Sequence, residues 1–303
     1  MHRIRLGTRG STLALAQTGL IAEAMRDLGA EVETIAIRTS GDEGTKRVSA
    51  PGDKSRFVKE IEEALLANEI DLAVHSAKDV PGQLPDGLAI VAVPERADAR
   101  DALGGAPALD ALHDGATVGT SSLRRRAQLL AARQDLRVEE LRGNVDTRLQ
   151  KLAERKYDAV VLAAAGLERL GRASEGSPVD TAILTPAPGQ GCLALEARAD
   201  DERTAELAAQ LTHRDSLVCL TAERALVAEL DASCRTPVAA HAYLNDGALR
   251  LDAFVGLPDG STWIRDSLSG DPEEPAQLGQ AVAARLRLAG ADDVLAQAAA
   301  AAA

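Results

Sequence analysis

The sequence predicts an α/β chain of two similar lobes followed by a small α+β domain. Three observations carry this expectation. The stretch 117–148 (TVGTSSLRRRAQLLAARQDLRVEELRGNVDTR) spells strand–turn–helix twice: the apolar runs Ala116–Val118 and Val138–Leu141 each lead through Gly, Ser or Asn into a helically spaced segment. The N-terminal stretch has the same form, with G-T-R-G-S…A-Q at 7–17 set against G-T-S-S…A-Q at 119–128. From Thr236 onward the pattern changes to alternating antiparallel-type strands joined by the turns Asn245-Asp246-Gly247 and Pro258-Asp259-Gly260.

In chain order, Ile4–Thr8 reads as a strand and Thr12 to about Leu28 as a helix with Leu13, Ala16, Leu20 and Ala24 on its apolar face. Gly29 ends it, and Val32–Ile37 is a second strand. Phe57–Ala67 reads as a helix that runs through Glu69-Ile70-Asp71 into the strand Leu72–His75. Val145–Glu154 likewise runs through Lys156-Tyr157-Asp158 into Ala159–Ala163. Two such lobes imply a cleft between them, with ligands at the carboxyl ends of the strands. Ser40–Lys54, rich in Gly and charge, reads as a mobile loop and a candidate lid, or as a plain connector. Pro94–Ala111 and Pro178–Pro188 read as linkers crossing between lobes. Leu193–Ala197 reads as a strand, followed by helices at about 201–211 and 216–230. The last third offers strands at 236–244, 248–255 and 262–268 and a helix at about 275–289, and the Ala-rich end is expected to fray. The expected domains are 1–95 with about 190–212, 96–189, and 213–303.

Composition narrows the function. A net charge of −12 and an aromatic content of 2% argue against a nucleic-acid protein, because neither a broad basic field nor stacking platforms are present. No run of 18 apolar residues occurs, and MHRIRLGTRGS goes into a strand pattern without an apolar signal core, so no membrane span is expected. Three cysteines do not make a disulfide framework, and the five histidines lack ligand spacing. A cytoplasmic, metal-free monomer acting on a small molecule is the expectation.

Within that acidic chain the arginines are oddly placed. Arg124 and Arg125 fall in the first helical turn after Ser121 and Ser122, and Arg148 in the first turn after Asn144. A helix N-terminus already carries partial positive charge, so cations there are mildly destabilising unless an anion joins them. Free N–H groups with guanidinium forks suit a small, multiply charged anion. Lys78 and Asp79 follow the strand end at His75, where ligand groups gather in α/β lobes; an ordinary surface pair is the alternative. Cys234 lies in a helix-to-strand loop before Arg235 and is open to a nucleophilic role, whereas Cys192 and Cys219 lie in apolar patterns typical of core cysteines.

The segments HSAKDVP, GTSSLRR, LRGNVDTR, LAAAGLERLG and PGQG, in that order, resemble hydroxymethylbilane synthase, also called porphobilinogen deaminase. The run from Glu223-Arg224 through Cys234 to Pro237 resembles that family's cofactor-attachment signature, and the likeness extends from Arg9 to about Ala289. The chain departs from the family at Ala232 and Ser233 (usually Gly), at Lys54-Ser55-Arg56-Phe57 (usually K-G-L-F) and at Asp146 (often Gly). The resemblance implies lobes like type II periplasmic binding proteins and a third domain bearing the cofactor. It also implies head-to-tail joining of four porphobilinogen units, each losing ammonia, to give hydroxymethylbilane. The primer would be a dipyrromethane built from two porphobilinogen units and held by a thioether to Cys234. Asp79 would be the catalytic carboxylate, stabilising positive charge on an azafulvene and a protonated pyrrole. Lys78, Asp79, Thr120, Ser121, Ser122, Arg124, Arg125, Arg142, Gly143, Arg148 and Gln190 would hold the cofactor. Arg9, Ser11, Gln17, Arg142, Arg148 and Arg169 would hold substrate. Each pyrrole carries an acetate and a propionate, which arginines pair bidentately. The competing readings are a two-lobed anion-binding module without chemistry and, against the charge balance, a nucleic-acid protein.

Overall fold

The computed structural model describes residues 2–39, 58–233 and 236–302. The expected lid Ser40–Lys54, the departure at Lys54–Phe57, and Cys234 lie outside them. The first lobe opens with β1 (His2–Arg9), α1 (Thr12–Asp27), β2 (Ala30–Ile37), α2 (Lys59–Leu66), β3 (Leu72–Ser76) and β4 (Leu88–Ala92). The second contains β5 (Asp101–Gly104), β6 (Thr117–Gly119), α3 (Leu123–Ala132), β7 (Arg137–Glu139), α4 (Val145–Ala153), β8 (Ala159–Ala163), α5 (Ala164–Arg169) and β9 (Ser177–Pro178). The chain returns through β10 (Leu193–Arg198) and α6 (Glu202–Ala209) to α7 (Arg214–Glu229). It ends in β11 (Val238–Asn245), β12 (Ala248–Gly256), β13 (Trp263–Gly270), α8 (Pro275–Leu288) and α9 (Ala291–Ala302). Contacts divide it into two compact units, Met1–Arg96 with Cys192–Leu217 and Ala97–Gly191 with Val218–Ala303.

The expected pair of similar α/β lobes is found. The first sheet runs β2-β1-β3-β10-β4 and the second β7-β6-β8-β5-β9. In each, three parallel strands are extended by an antiparallel strand that enters from a crossover, β10 in the first lobe and β5 in the second. The register matches too. Gly7 pairs with Ala73 in the first lobe and Gly119 with Val160 in the second, so Gly7-Thr8 and Gly119-Thr120 are structural counterparts. A Cβ on either glycine would strike a neighbour, at 2.2 Å from Ile70 or 2.7 Å from Leu141. The aspartates of the two aligned tripeptides do the same work. Asp71 Oδ2 accepts the Arg5 N–H (2.8 Å) while Asp71 N–H donates to Arg5 O (2.9 Å); Asp158 and Thr117 repeat both bonds at 2.7 and 2.9 Å. Each pair closes the open backbone at the start of the central strand.

Four local expectations are corrected. The supposed linker Pro94–Ala111 contains β5, fully buried between β8 and β9, and the second linker begins inside β9. A four-residue strand that opens on Asp101 has neither the length nor the alternation of a strand pattern. β4 was missed as well, its LAIVA run being too short to stand out. The buried face of α1 is Gln17, Thr18, Ile21, Ala22 and Met25, while Leu20 is 51% exposed. Apolar residues lie on every side of this helix, and Thr18 satisfies its hydroxyl on Ala14 O (2.9 Å). The Ala-rich end does not fray but forms α9, with Asp292 and Asp293 in its first turn and Ala291, Val294 and Ala298 buried. Alanine has the highest helix propensity, and acidic residues suit a helix N-terminus.

The C-terminal α+β domain has its own core, where Leu226 and Leu230 of the α7 end meet Val238, Leu251 and Val255 of the sheet and Val282 and Leu286 of α8. Within its unit it is fastened to the second lobe. Arg126 Nε donates to Pro258 O (3.1 Å), Arg265 donates to Ala182 O and Ile183 O, and Ala127 packs with Ala239 and Phe254. The buried Glu223 of α7 accepts the Gly189 N–H (2.6 Å) on Oε2 and the Ala242 N–H (2.7 Å) on Oε1.

Candidate active site

In the first lobe Arg9 ends β1, and Lys78 and Asp79 form the 3-10 turn after β3. β1 and β3 are neighbouring parallel strands, so both groups stand at one edge of the sheet. Ser11 caps α1, its Oγ accepting the Ala14 N–H (3.3 Å), and Gln17 is buried one turn further on. Asp79 is half-buried, and among the described residues its carboxylate makes no hydrogen bond or ion pair.

Behind this edge lies a cluster that sequence reading missed. His75 Nε2 of β3 is 2.9 Å from Glu196 Oε2 of β10, both nearly inaccessible, and Glu62 of α2 adds a second acid. Burial first, and the charge of Glu196 second, push the Glu62 carboxyl up to about 7. In the unfolded chain it ionises near 4.5, so its contribution to stability is full below that value and is lost as pH rises through about 7. Glu62→Gln is therefore expected to stabilise the protein at about pH 8 by on the order of 1–3 kcal/mol, with little effect near pH 4.5. Urea unfolding at both pH values measures this, and a gain of equal size at both would refute it. The signal was an ionisable residue inside each of two largely apolar strands, His75 in LAVHS and Glu196 in LALEAR.

In the second lobe the expected residues gather at the carboxyl ends of β6, β7 and β8. Thr120 and Ser121 follow β6; Ser122 caps α3, its Oγ accepting the Arg125 N–H (3.4 Å), and its own N–H donates to Thr120 Oγ1 (3.2 Å). Asn144 caps α4 through the Thr147 N–H (2.9 Å). Gly143 before it has φ +121°, and a Cβ there would lie 2.8 Å from the Thr147 side chain, so the turn that delivers Arg148 needs glycine.

Arg124 and Arg125, expected to meet a small, multiply charged anion, meet a carboxylate of their own chain first. Both are buried, and their first anion is the chain's own Asp101, 0% exposed on β5. Arg124 Nη1 lies 2.8 Å from Asp101 Oδ2 and donates to Thr185 O (2.6 Å). Arg125 donates to Asp101 Oδ1 from Nε (3.0 Å) and Nη2 (2.8 Å), and to Val161 O from Nη1 (2.9 Å). Burial opposes ionisation of Asp101, but the two guanidinium charges outweigh it and hold its carboxyl well below the usual range. One carboxylate between two buried arginines leaves net positive charge. Arg148 adds to it: half-buried, it donates to Gly143 O (2.9 Å), and among the described residues no carboxylate pairs with it. Burial, then the charge of Arg125, push its pKa down to about 10.

The remaining expected residues differ in setting. Arg142 is exposed and pairs with Glu140 at 2.7 Å, a contact of little energetic weight. Arg169, at the end of α5, donates to Gly191 O (2.7 Å). Gln190 is buried, its amide donating to Ala99 O (2.7 Å) and Asp101 Oδ1 (2.8 Å). Asp101 was missed because β5 was read as linker.

Residues 4–206 match the family described as "Porphobilinogen deaminase, dipyromethane cofactor binding domain" and residues 217–287 its "C-terminal domain". The chain belongs to the porphobilinogen deaminase family. A porphobilinogen deaminase of Deinococcus radiodurans is 46% identical over 306 residues, covering 97% of this chain and 98% of its own. One from Thermus thermophilus is 47% identical over 303 residues (98% and 99%), and one from Roseiflexus sp. 48% over 287 residues (93% and 94%). Arg124, Arg125 and Arg148 lie within the part that matches the cofactor binding domain.

Proposed function

We propose that this chain is a transferase that condenses four porphobilinogen molecules head to tail, with loss of ammonia, into hydroxymethylbilane on a dipyrromethane attached to Cys234. The observation that carries this reading is the net positive charge in the second lobe, where the buried Arg124 and Arg125 share one carboxylate and the half-buried Arg148 has none among the described residues. A buried, uncompensated cation is costly unless a ligand anion meets it, and a chain of pyrrole acetates and propionates supplies such anions. The residues present therefore fit the cofactor. When bound, the dipyrromethane supplies the pyrrole end on which the chain is extended.

The chain's own residues divide the remaining work. Arg124, Arg125 and Arg148, with Arg142, Thr120, Ser121, Ser122 and Gly143, hold cofactor carboxylates; Arg9, Ser11, Gln17 and Arg169 hold those of the incoming substrate. Lys78 positions a carboxylate beside Asp79, and Asp79 offsets positive charge developing on the pyrrole. Gln190 acts from behind, through Asp101. The reading includes three domains with the boundaries expected from the sequence, a monomer, and a cytoplasmic setting.

Arg148→Leu tests it. The wild type mixed with porphobilinogen is expected to show, by intact mass, equal increments of one substrate less ammonia. The variant is expected to stall in cofactor loading or elongation, since a charge-assisted pair in a shielded site is worth about 2–5 kcal/mol. Its stability is expected to hold or rise, because a desolvated cation is removed. Normal loading and elongation in the variant would count against the reading.

A further inference from the structure

We propose that Asp101 is a positioning residue for the condensation: it fixes Arg124 and Arg125 as a pair and leaves them one negative charge short, to be completed by a ligand carboxylate. The proposal rests on the porphobilinogen-condensing reading.

The geometry gives Asp101 this position. It receives both guanidinium groups within 2.8 Å and is held from a third side by Gln190 Nε2 (2.8 Å). Gln190 is in turn fixed, because the preceding Gly189 N–H is bound by Glu223. The arginine pair is thus tied through buried polar contacts to α7 and, by the other oxygen of Glu223, to β11.

The sister lobe shows that the fold does not require this cluster. Asp101 pairs with Ala163 at the end of β8, as Leu193 pairs with Ser76 at the end of β3. Arg124 and Arg125 are the second and third residues after the cap Ser122, as Leu13 and Ala14 are after Ser11. The first lobe therefore places Leu193, Leu13 and Ala14 where the second places an acid and two arginines; its Leu193 is buried like Asp101, while Leu13 and Ala14 are half-buried. Replacing a buried ionic cluster by apolar residues of suitable shape is often neutral or stabilising. An ionic cluster present in one lobe, where its twin carries apolar residues at the same positions, points to a role beyond holding the fold.

Asp101→Asn keeps the shape and removes the charge. With the loaded fraction counted by intact mass, turnover per loaded molecule is expected to fall at least tenfold. KM for porphobilinogen is expected not to rise, since the pocket becomes more positive. A purely stabilising role would lower the melting temperature and the loaded fraction but leave turnover per loaded molecule unchanged, and that result overturns the proposal. If the Asn variant cannot be loaded, the triple variant Asp101→Leu, Arg124→Leu, Arg125→Ala decides. It copies the first lobe and is expected to fold, to melt at or above the temperature of Asp101→Asn, and to take up no cofactor. A triple variant that fails to fold, or that loads and elongates, overturns the proposal. A wild type that neither gains porphobilinogen units nor releases tetrapyrrole sinks the condensing reading itself, whereas an active wild type with a normal Asn variant sinks only the role of Asp101.

Discussion

Cys234→Ser is expected to leave the protein at its bare mass of 31.6 kDa, with no measurable turnover. A serine hydroxyl is a far poorer nucleophile than a thiolate, so the thioether does not form. The flanking residues are well fixed: the Thr236 hydroxyl bonds both the Ser233 N–H (2.9 Å) and the Ser233 carbonyl (2.7 Å) between the end of α7 and β11. Cys192 and Cys219 are buried, 0% and 6% exposed. Cys192→Ala and Cys219→Ala are accordingly expected to keep the adduct. Intact mass spectrometry of the three variants decides, and an adduct that persists in the serine protein refutes the attachment site.

Asp79→Asn is expected to keep cofactor and substrate binding while the chemical step collapses. The substitution preserves shape and removes the single negative charge of a side chain that has no partner among the described residues. Its loss is therefore felt at the reacting ring and not in the fold. A preorganised electrostatic contact of this kind is worth about 3–4 kcal/mol, or on the order of 10²–10³ in rate. Asp79→Glu keeps the charge but displaces it and is expected to fall between the two. The measurement is single-turnover kinetics on protein already loaded with cofactor, so that assembly defects are not counted as catalytic ones. A near-normal rate in the Asn variant would move the role to another group.

The lobes were legible because their repeats are written in short-range chemistry: a glycine where strands pack, a capping serine or asparagine, an aspartate at a strand start. Those signals depend on neighbours within a few residues, and the strands and helices they bound were found at their expected places. β5 was not legible, because a buried four-residue strand that opens on a charge owes its structure to partners far along the chain, Ala163 and Pro178. The same long-range pairing hid Asp101, and with it the reason arginines sit at the start of α3. The face of α1 was misjudged for a related cause: with leucines on several sides, only the packing against the sheet selects which side is buried. In α9 the repetitive composition concealed a strong helix former with buried contacts.

The sheet order bears on synthesis as much as on ligand binding. The second lobe's strands, from Asp101 to Pro178, form one continuous stretch of chain, so its sheet has every partner as soon as that stretch leaves the ribosome. The first lobe is different. Among the described residues β4 pairs with β10 alone, and the whole second lobe is translated between them. Until Leu193–Arg198 emerges, the nascent first lobe has three parallel strands with an open edge and a fourth strand without a neighbour among the described residues. Open edges of this kind are where chains associate wrongly. The lobe made first is thus the lobe finished last, and the stretch from Leu88 to Ala92 is the part of the newborn chain most in need of shelter.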